Sequence, residues 1–316
     1  MAERASGVRT NVVAIGNQKG GVGKTTNTVH LAAALGEMGR RCLIFDLDMN
    51  AGSTKHFGIK GEGFLGTFEV ITGAESAIDV VLRDGEEDVH LPKNVDLIAS
   101  CRKLEKVDQV LLSKNKFSPL QDILLKPIAS LRGIYDYVFL DTAPNATSPT
   151  IAAYLAADWF ILTAMPEPFA IEGLNEALTD IKDAQQHGNQ NLKLLGLILC
   201  GVDKRTRLSN DLKQYVHDAF SPDGKSSAKF DTTISRSTVV GQTQDARKTL
   251  FQTHSKHDVT EQYRSLAREV DGRIASYFTH LAESQEAAAA AARGERANVV
   301  PVPAKQPGQV REVENG

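Results

Sequence analysis

The sequence predicts an α/β fold, a mostly parallel twisted sheet with helices on both faces. Two observations predict it. Short, near-continuously apolar runs alternate with amphipathic stretches along most of the 316 residues, as expected of strands covered on both sides. The first apolar run also breaks into a glycine-rich, lysine-containing loop that opens a helix, and this is where such sheets hold an anion.

The elements follow in order. Asn11 to Gly16 is an apolar run stopped by glycine, too short for a helix and therefore a buried strand. In Thr25 to Met38, Val29, Leu31, Ala32 and Leu35 recur at helical spacing, and Gly39 ends the helix. Arg41 to Leu47 is a second buried strand with its acids at the C-terminal edge. Residues 51–90 are glycine-interrupted and predict only short helices. A strand at Val95 to Ala99 and helices at Leu104 to Ser113 and Leu120 to Leu131 come next, then a strand at Tyr135 to Leu140 that runs into Asp141. The pattern continues with a helix at Ser148 to Ala156, a strand at Trp159 to Ala164, a helix at Ile171 to Gln186 and a strand at Leu194 to Cys200. A helix at Leu208 to Ala219, a short strand before Ile234 and a helix at Val259 to Leu281 complete it. Residues 1–10 read as a flexible N-terminus and 11–281 as one domain. Residues 282–316 read as a low-complexity, disordered tail, because an alanine run followed by Pro301, Pro303 and Pro307 among charges builds no core. The alanines are able to prolong the preceding helix by a turn or two.

Lys and Arg number 36 against 39 Asp and Glu, a formal charge of −3. That balance excludes nucleic-acid binding through bulk positive charge but leaves room for a local basic patch. The longest apolar candidate, Ile151 to Met165, is interrupted by Asp158 and falls short of the roughly 18 residues of a membrane span. The N-terminal residues carry no apolar signal core, which predicts a cytoplasmic chain. Cys42, Cys101 and Cys200 share no metal or redox spacing and read as buried small apolar residues.

The segment Asn17-Gln18-Lys19-Gly20-Gly21-Val22-Gly23-Lys24-Thr25-Thr26 carries the chemistry. Its glycines let successive backbone N–H groups face an anion, and the helix N-terminus adds partial positive charge. Lys24 is placed for the β- and γ-phosphates of a nucleotide and the Thr25 hydroxyl for Mg²⁺. A strict phosphate-loop motif would have glycine at position 18, where this chain has Gln18. Lys19, at the start of the loop, is badly placed to serve a phosphate held by its own loop; it either crosses to a partner subunit's nucleotide or is a solvated surface lysine.

With Phe-Asp-Leu-Asp at 45–48 and Tyr-Asp-Tyr-Val-Phe-Leu-Asp-Thr at 135–142, the loop resembles that of the ParA family of partitioning ATPases. That family lies within the deviant Walker A group of P-loop NTPases, which also holds MinD and the nitrogenase iron protein. Asp-Lys-Arg-Thr at 203–206 and Ile-Ser-Arg at 234–236 are weaker landmarks, and the likeness runs from about residue 11 to 280. The resemblance implies a homodimer that sandwiches ATP and Mg²⁺. Lys19 matches the lysine that contacts the partner subunit's nucleotide, and Gly20 sits where the two subunits approach. Gly21, Val22, Gly23, Lys24, Thr25 and Thr26 match the nucleotide-binding loop, and Ser235 and Arg236 the segment near the base. Asp48 matches the acid that orients the attacking water, and Asp141 the Walker B acid that holds magnesium through water. Asp46 is a supporting acid near the magnesium or, read bare, a turn acid. Three positions depart from the family: Met49-Asn50 replaces Pro-Gln, Thr142-Ala143-Pro144 replaces Thr-Pro-Pro, and Ser235 stands in place of proline. They bear on the base contacts and the turnover rate.

The resemblance further implies non-specific DNA binding by the ATP-bound dimer, association with the nucleoid, and slow hydrolysis stimulated by a ParB-like or cargo adaptor protein. The cargo would be a plasmid, a chromosome region or a protein assembly. Arg236, Arg247, Lys248, Lys256 and Arg264 are candidate phosphate contacts or, alternatively, solvated charges on an amphipathic helix. A MinD-like membrane switch is the alternative. No membrane partner is expected, because the tail lacks bulky apolar residues on one face.

Overall fold

A computed structural model describes residues 9–86, 89–114, 120–203, 205–220 and 228–292. Its six strands are β1 (Asn11–Gly16), β2 (Cys42–Asp46), β3 (Val95–Ile98), β4 (Tyr137–Asp141), β5 (Trp159–Ala164) and β6 (Lys193–Leu199). All pair in parallel in the order β3-β2-β4-β1-β5-β6. Every residue of β2, β4 and β5 is buried. Such uniformly apolar strands are stable only with helices on both faces, each large aliphatic side chain contributing about 1.5–3 kcal/mol on burial.

The helices are α1 (Lys24–Glu37), α2 (Gly52–His56), α3 (Thr67–Ile71), α4 (Val107–Lys114), α5 (Asp122–Leu131) and α6 (Ser148–Ala156). They continue with α7 (Ala170–His187), α8 (Arg207–Phe220), α9 (Thr238–Asp245), α10 (Leu250–Thr253) and α11 (Asp258–Ala292). Residues 51–90 hold only short helices, as their glycines predict. α1 packs on β1, β2, β3 and β4 and is covered in turn by α2 and α10, so it is buried through Asn27–Gly36 rather than along one stripe. The chain leaves β1 toward β2 on one side and later builds β5 and β6 on the other. The C-terminal end of β1 therefore faces the crevice at the topological switch point, the usual ligand site of such sheets.

Three expectations change. No strand forms before Ile234 among the described residues; only single-residue bridges join Leu197 to Lys229 and Val202 to Ser235. Helices α9 and α10, absent from the sequence reading, follow at Thr238–Asp245 and Leu250–Thr253. The final helix runs to Ala292, not Leu281, so residues 282–292 are helical where a disordered tail was expected; alanine carries the highest helix propensity and extends the helix without an apolar stripe. The rest of the tail and residues 1–8 lie outside the described residues. The chain divides into a compact unit ending at Gly272 and a second from Arg273, whose described part is the distal stretch of α11.

Candidate active site

The loop from Gly16 to Lys24 joins β1 to α1. Asn17 fixes its start: its side-chain amide donates to the Thr163 carbonyl at 2.8 Å and its oxygen accepts from the Lys19 N–H at 2.8 Å. Gln18, where the strict motif has glycine, donates to the Asp180 carboxylate of α7 at 2.8 and 2.9 Å, so the departure anchors the loop to a neighbouring helix. Gly23 caps α1 in the left-handed region (φ 86), and a Cβ there would stand 2.8 Å from the Cys200 sulfur. Only glycine meets both conditions without strain.

Lys24 is 7 % exposed and folds back over the loop, its Nζ donating to the carbonyls of Asn17 and Lys19 at 2.9 Å each. Burial lowers its pKa, against the opposing pull of Asp141 and Asp48. Asp46 and Asp141 lie side by side at the ends of β2 and β4, both fully buried. Burial pushes both carboxyls upward, with each other's charge adding to the rise at Asp46. The Asp141 oxygens accept from Ser53 Oγ at 2.7 Å and Thr28 Oγ1 at 3.4 Å, and the Thr25 hydroxyl donates to the same carboxylate. Asp141 thus stands behind Thr25 rather than in the open cavity. The Asp46 oxygens accept from the Thr54 N–H and hydroxyl at 2.9 and 2.7 Å and from the Asp48 N–H at 3.2 Å. This ties down the turn from β2 to α2. Gly52 begins α2 where a Cβ would lie 2.8 Å from Thr25 Oγ1.

Asp48 is partly exposed and accepts from Asn50 N–H and Nδ2 at 2.8 and 3.0 Å. Asn50, one of the departures, therefore holds the orientation of that acid. A cavity of about 620 Å³ opens between the loop, Asp48 and Asn50 on one side and Met165, Cys200, Ile234 to Ser237, Gln244 and Tyr263 on the other. Gly20, Gly21, Gly23, Lys24, Thr25 and Thr26 line it. Val22 is buried behind the loop, and its carbonyl accepts from the Cys200 thiol at 3.4 Å. At the far end the Ser235 N–H donates to Gln262 Oε1 at 2.8 Å, and Gln262 Nε2 returns to Ser235 Oγ at 3.0 Å. Proline at 235 would lack that donor. Arg236 is exposed at the cavity rim.

Lys19 does not line this cavity. Its Nζ donates to the Pro168 carbonyl at 2.7 Å and pairs with Glu167 at 3.1 Å, beside a shallower cleft with Pro144, Asn145 and Phe169. Arg247, Lys248 and Lys256 are exposed. Arg264 pairs with Glu37 at 2.9 Å and Glu261 at 3.4 Å, and its guanidinium lies over the Phe251 ring. The three cysteines are buried and unbridged, as expected.

Sequence reasoning missed the supports of the site: Ser53, Thr54, Asn27, Gln262 and Tyr263. Asn27 is fully buried, accepts from the Tyr263 hydroxyl at 2.8 Å and donates toward the Cys200 sulfur at 3.4 Å. A buried polar residue one turn into the helix after a phosphate loop was the available signal. Thr249-x-x-Gln252, a capping box that forms at α10, was another.

Residues 10–194 match the AAA_31 family model, an AAA domain. The chain is 28 % identical over 265 residues to the sporulation initiation inhibitor protein Soj of Bacillus subtilis, covering 82 % of this chain and 97 % of Soj. It is 28 % identical over 270 residues to the chromosome partitioning protein ParA of Myxococcus xanthus, covering 85 % and 90 %. Among solved structures, cobyrinic acid a,c-diamide synthase from Mycobacterium smegmatis with bound ATP analogue and magnesium is similar, with a TM-score of 0.66 and 28 % identity over 82 % of this chain and 93 % of that one.

Proposed function

The chain belongs to the AAA_31 family and is a ParA-type P-loop protein, and from that premise we propose that it is an ATPase whose two copies close on a pair of ATP molecules. The nucleotide lies in the cavity with its phosphates on the loop and its base against Ser235, Arg236 and Tyr263. Lys24 and the loop N–H groups hold the phosphate charge. Mg²⁺ is held by Thr25, with Asp141 orienting that hydroxyl and Asp46 supporting the turn beside it, and it neutralises charge on the phosphates. The residues fit the ion: the buried Asp141 carboxylate accepts from the Thr25 hydroxyl, Asp46 lies beside Asp141 at the strand ends, and Lys24 is the cation facing Asp141. Asp48, held by Asn50 at the cavity wall, orients the attacking water.

The observation that carries dimerisation is the outward face of the loop. Lys19 lies outside its own cavity. A Cβ on Gly20 would meet nothing within 4 Å in the single chain, and the residue has no positive φ. The protomer itself gives no reason for glycine there, whereas a second copy closing on the loop does. Phe169, 71 % exposed and in the left-handed region (φ 63), stands on the same face. In the dimer Lys19 leaves Glu167 and reaches the partner subunit's nucleotide.

The ATP-bound dimer binds DNA without sequence preference through Arg236, Arg247, Lys248 and Lys256. It positions a plasmid, a chromosome region or a protein assembly on the nucleoid, and a ParB-like or cargo adaptor stimulates hydrolysis. Isolated turnover is slow, because phosphoryl transfer depends on placing charges that the adaptor-bound state completes. No helix among the described residues is long and apolar enough to cross a membrane. Co-sedimentation with DNA and with anionic vesicles, with and without ATP, tests the reading. ATP-dependent, salt-sensitive DNA binding is expected; ATP-dependent vesicle binding instead would favour a membrane track.

A further inference from the structure

The five-residue helix α2 touches two places that the proposed function leaves unconnected. Its first turn is fixed to the phosphate end: Gly52 packs against Thr25, Ser53 donates to Asp141 and Thr54 donates to Asp46. Its last residue, His56, is 4 % exposed and lies at the other end, where Nε2 is 3.0 Å from the Lys248 carbonyl. A carbonyl only accepts, so Nε2 carries the proton, and Nδ1 is left buried without a hydrogen-bond partner. The His56 ring meets the His30 ring edge-on at 5.5 Å, and His30 in turn stacks on Tyr263. The imidazole is therefore confined, and a buried ring with one orphaned nitrogen is kept where its other nitrogen has a specific task.

That task is set by the backbone it holds. Arg247 is a non-glycine residue with φ 55, a conformation that persists only where the surroundings impose it. The turn is closed by Arg247 N–H to Gln244 and Lys248 N–H to Thr243, each at 3.0 Å. Among the described residues, the one side chain on the Lys248 carbonyl is that of His56. Gly58, two residues on (φ 73), has the Arg247 side chain lying directly on it. The two adjacent exposed cations thus stand where α2 puts them, while α2 stands where the phosphate-end carboxylates put it.

We propose that His56 is a positioning residue that fixes the Arg247-Lys248 turn to α2, and through α2 to the nucleotide site, for contact with DNA phosphates. The proposal rests on the DNA-binding reading above, and its test separates the two. His56→Leu keeps the volume and removes the donor, whereas His56→Gln retains an N–H near the position of Nε2. With the full chain and a slowly cleaved ATP analogue, His56→Leu should weaken binding to mixed-sequence duplex DNA about tenfold and leave nucleotide affinity unchanged, and His56→Gln should restore DNA binding to within about twofold. Limited trypsin digestion supplies a readout that needs no DNA: cleavage after Arg247 and Lys248 should quicken in His56→Leu and return to the wild-type rate in His56→Gln. Wild-type cleavage at that turn in His56→Leu, or a loss that His56→Gln does not recover, would overturn the proposal. Wild-type protein that ignores DNA while the cleavage order holds would sink the DNA reading and leave the turn's attachment to His56 standing.

Discussion

The two ends of the nucleotide cavity are built in opposite ways. The phosphate end comes from ten consecutive residues, Asn17 to Thr26, supported by carboxylates at the tips of β2 and β4. The far end gathers Met165, Cys200, the 234–237 segment, Gln244 and Tyr263 from widely separated stretches of chain. On the proposed reading, charge recognition is concentrated in one loop with a buried lysine, whereas base recognition is spread over several partial contacts. Energetics should follow: single changes at the first end are severe, and those at the second are shared among neighbours.

Lys24→Ala should produce the largest effect, lowering ATP affinity at least about 100-fold, or about 2.7 kcal/mol, by calorimetry. A loss under tenfold would erase the contrast between the ends. Asp48→Ala should come next, cutting single-turnover hydrolysis about 100-fold while ATP affinity stays at the wild-type value. A matching fall in affinity would move Asp48 from orienting water to holding nucleotide.

His30 joins the two ends, donating from Nδ1 to the Thr26 carbonyl (2.8 Å) and stacking on Tyr263. Burial pushes its pKa down to about 3 and lowers that of His56 as well. The folded chain holds the His30 ring neutral and disfavours protonation of His56, while the unfolded chain takes up protons below about pH 6.5. Stability from this pair is therefore present above that pH and lost as pH falls, by up to about 1.4 kcal/mol per pH unit for each ring. Urea unfolding at pH 7 and pH 5 should show the loss, and His30→Gln should reduce it; an unchanged pH slope in that variant would show that His30 titrates normally. Gln262→Leu should give the smallest effect, weakening ATP binding by less than about tenfold, since it removes only the reciprocal pair with Ser235.

The same contrast decides what could be read from the sequence. Strands such as Asn11–Gly16 and Trp159–Ala164, and helix Ser148–Ala156, match the expectation residue for residue, because short apolar runs bounded by glycine or polar residues leave little freedom. The phosphate loop was legible because its chemistry is local in sequence. The pairing of Arg264 was not, because its partner Glu37 lies 227 residues away. The expected strand before Ile234 failed for a related reason: at the sheet edge, single bridges from Lys229 and Ser235 satisfy the backbone without a ladder. Helix α11 outran its apolar pattern because Ala287 to Ala292 need only propensity to stay helical. Lys19 is the subtlest case, since its position marks it as unusual while its contact in the single chain, Glu167, is not the one its proposed role requires.

Light scattering on the eluting protein, in ATP analogue and Mg²⁺, with wild type beside Lys19→Ala, tests the central claim most directly. The account predicts a dimer mass for wild type only when nucleotide is present, and a monomer mass for Lys19→Ala although it binds the analogue with undiminished affinity. A Lys19→Ala protein that dimerises as wild type does, or a wild type that stays monomeric when saturated, would contradict it.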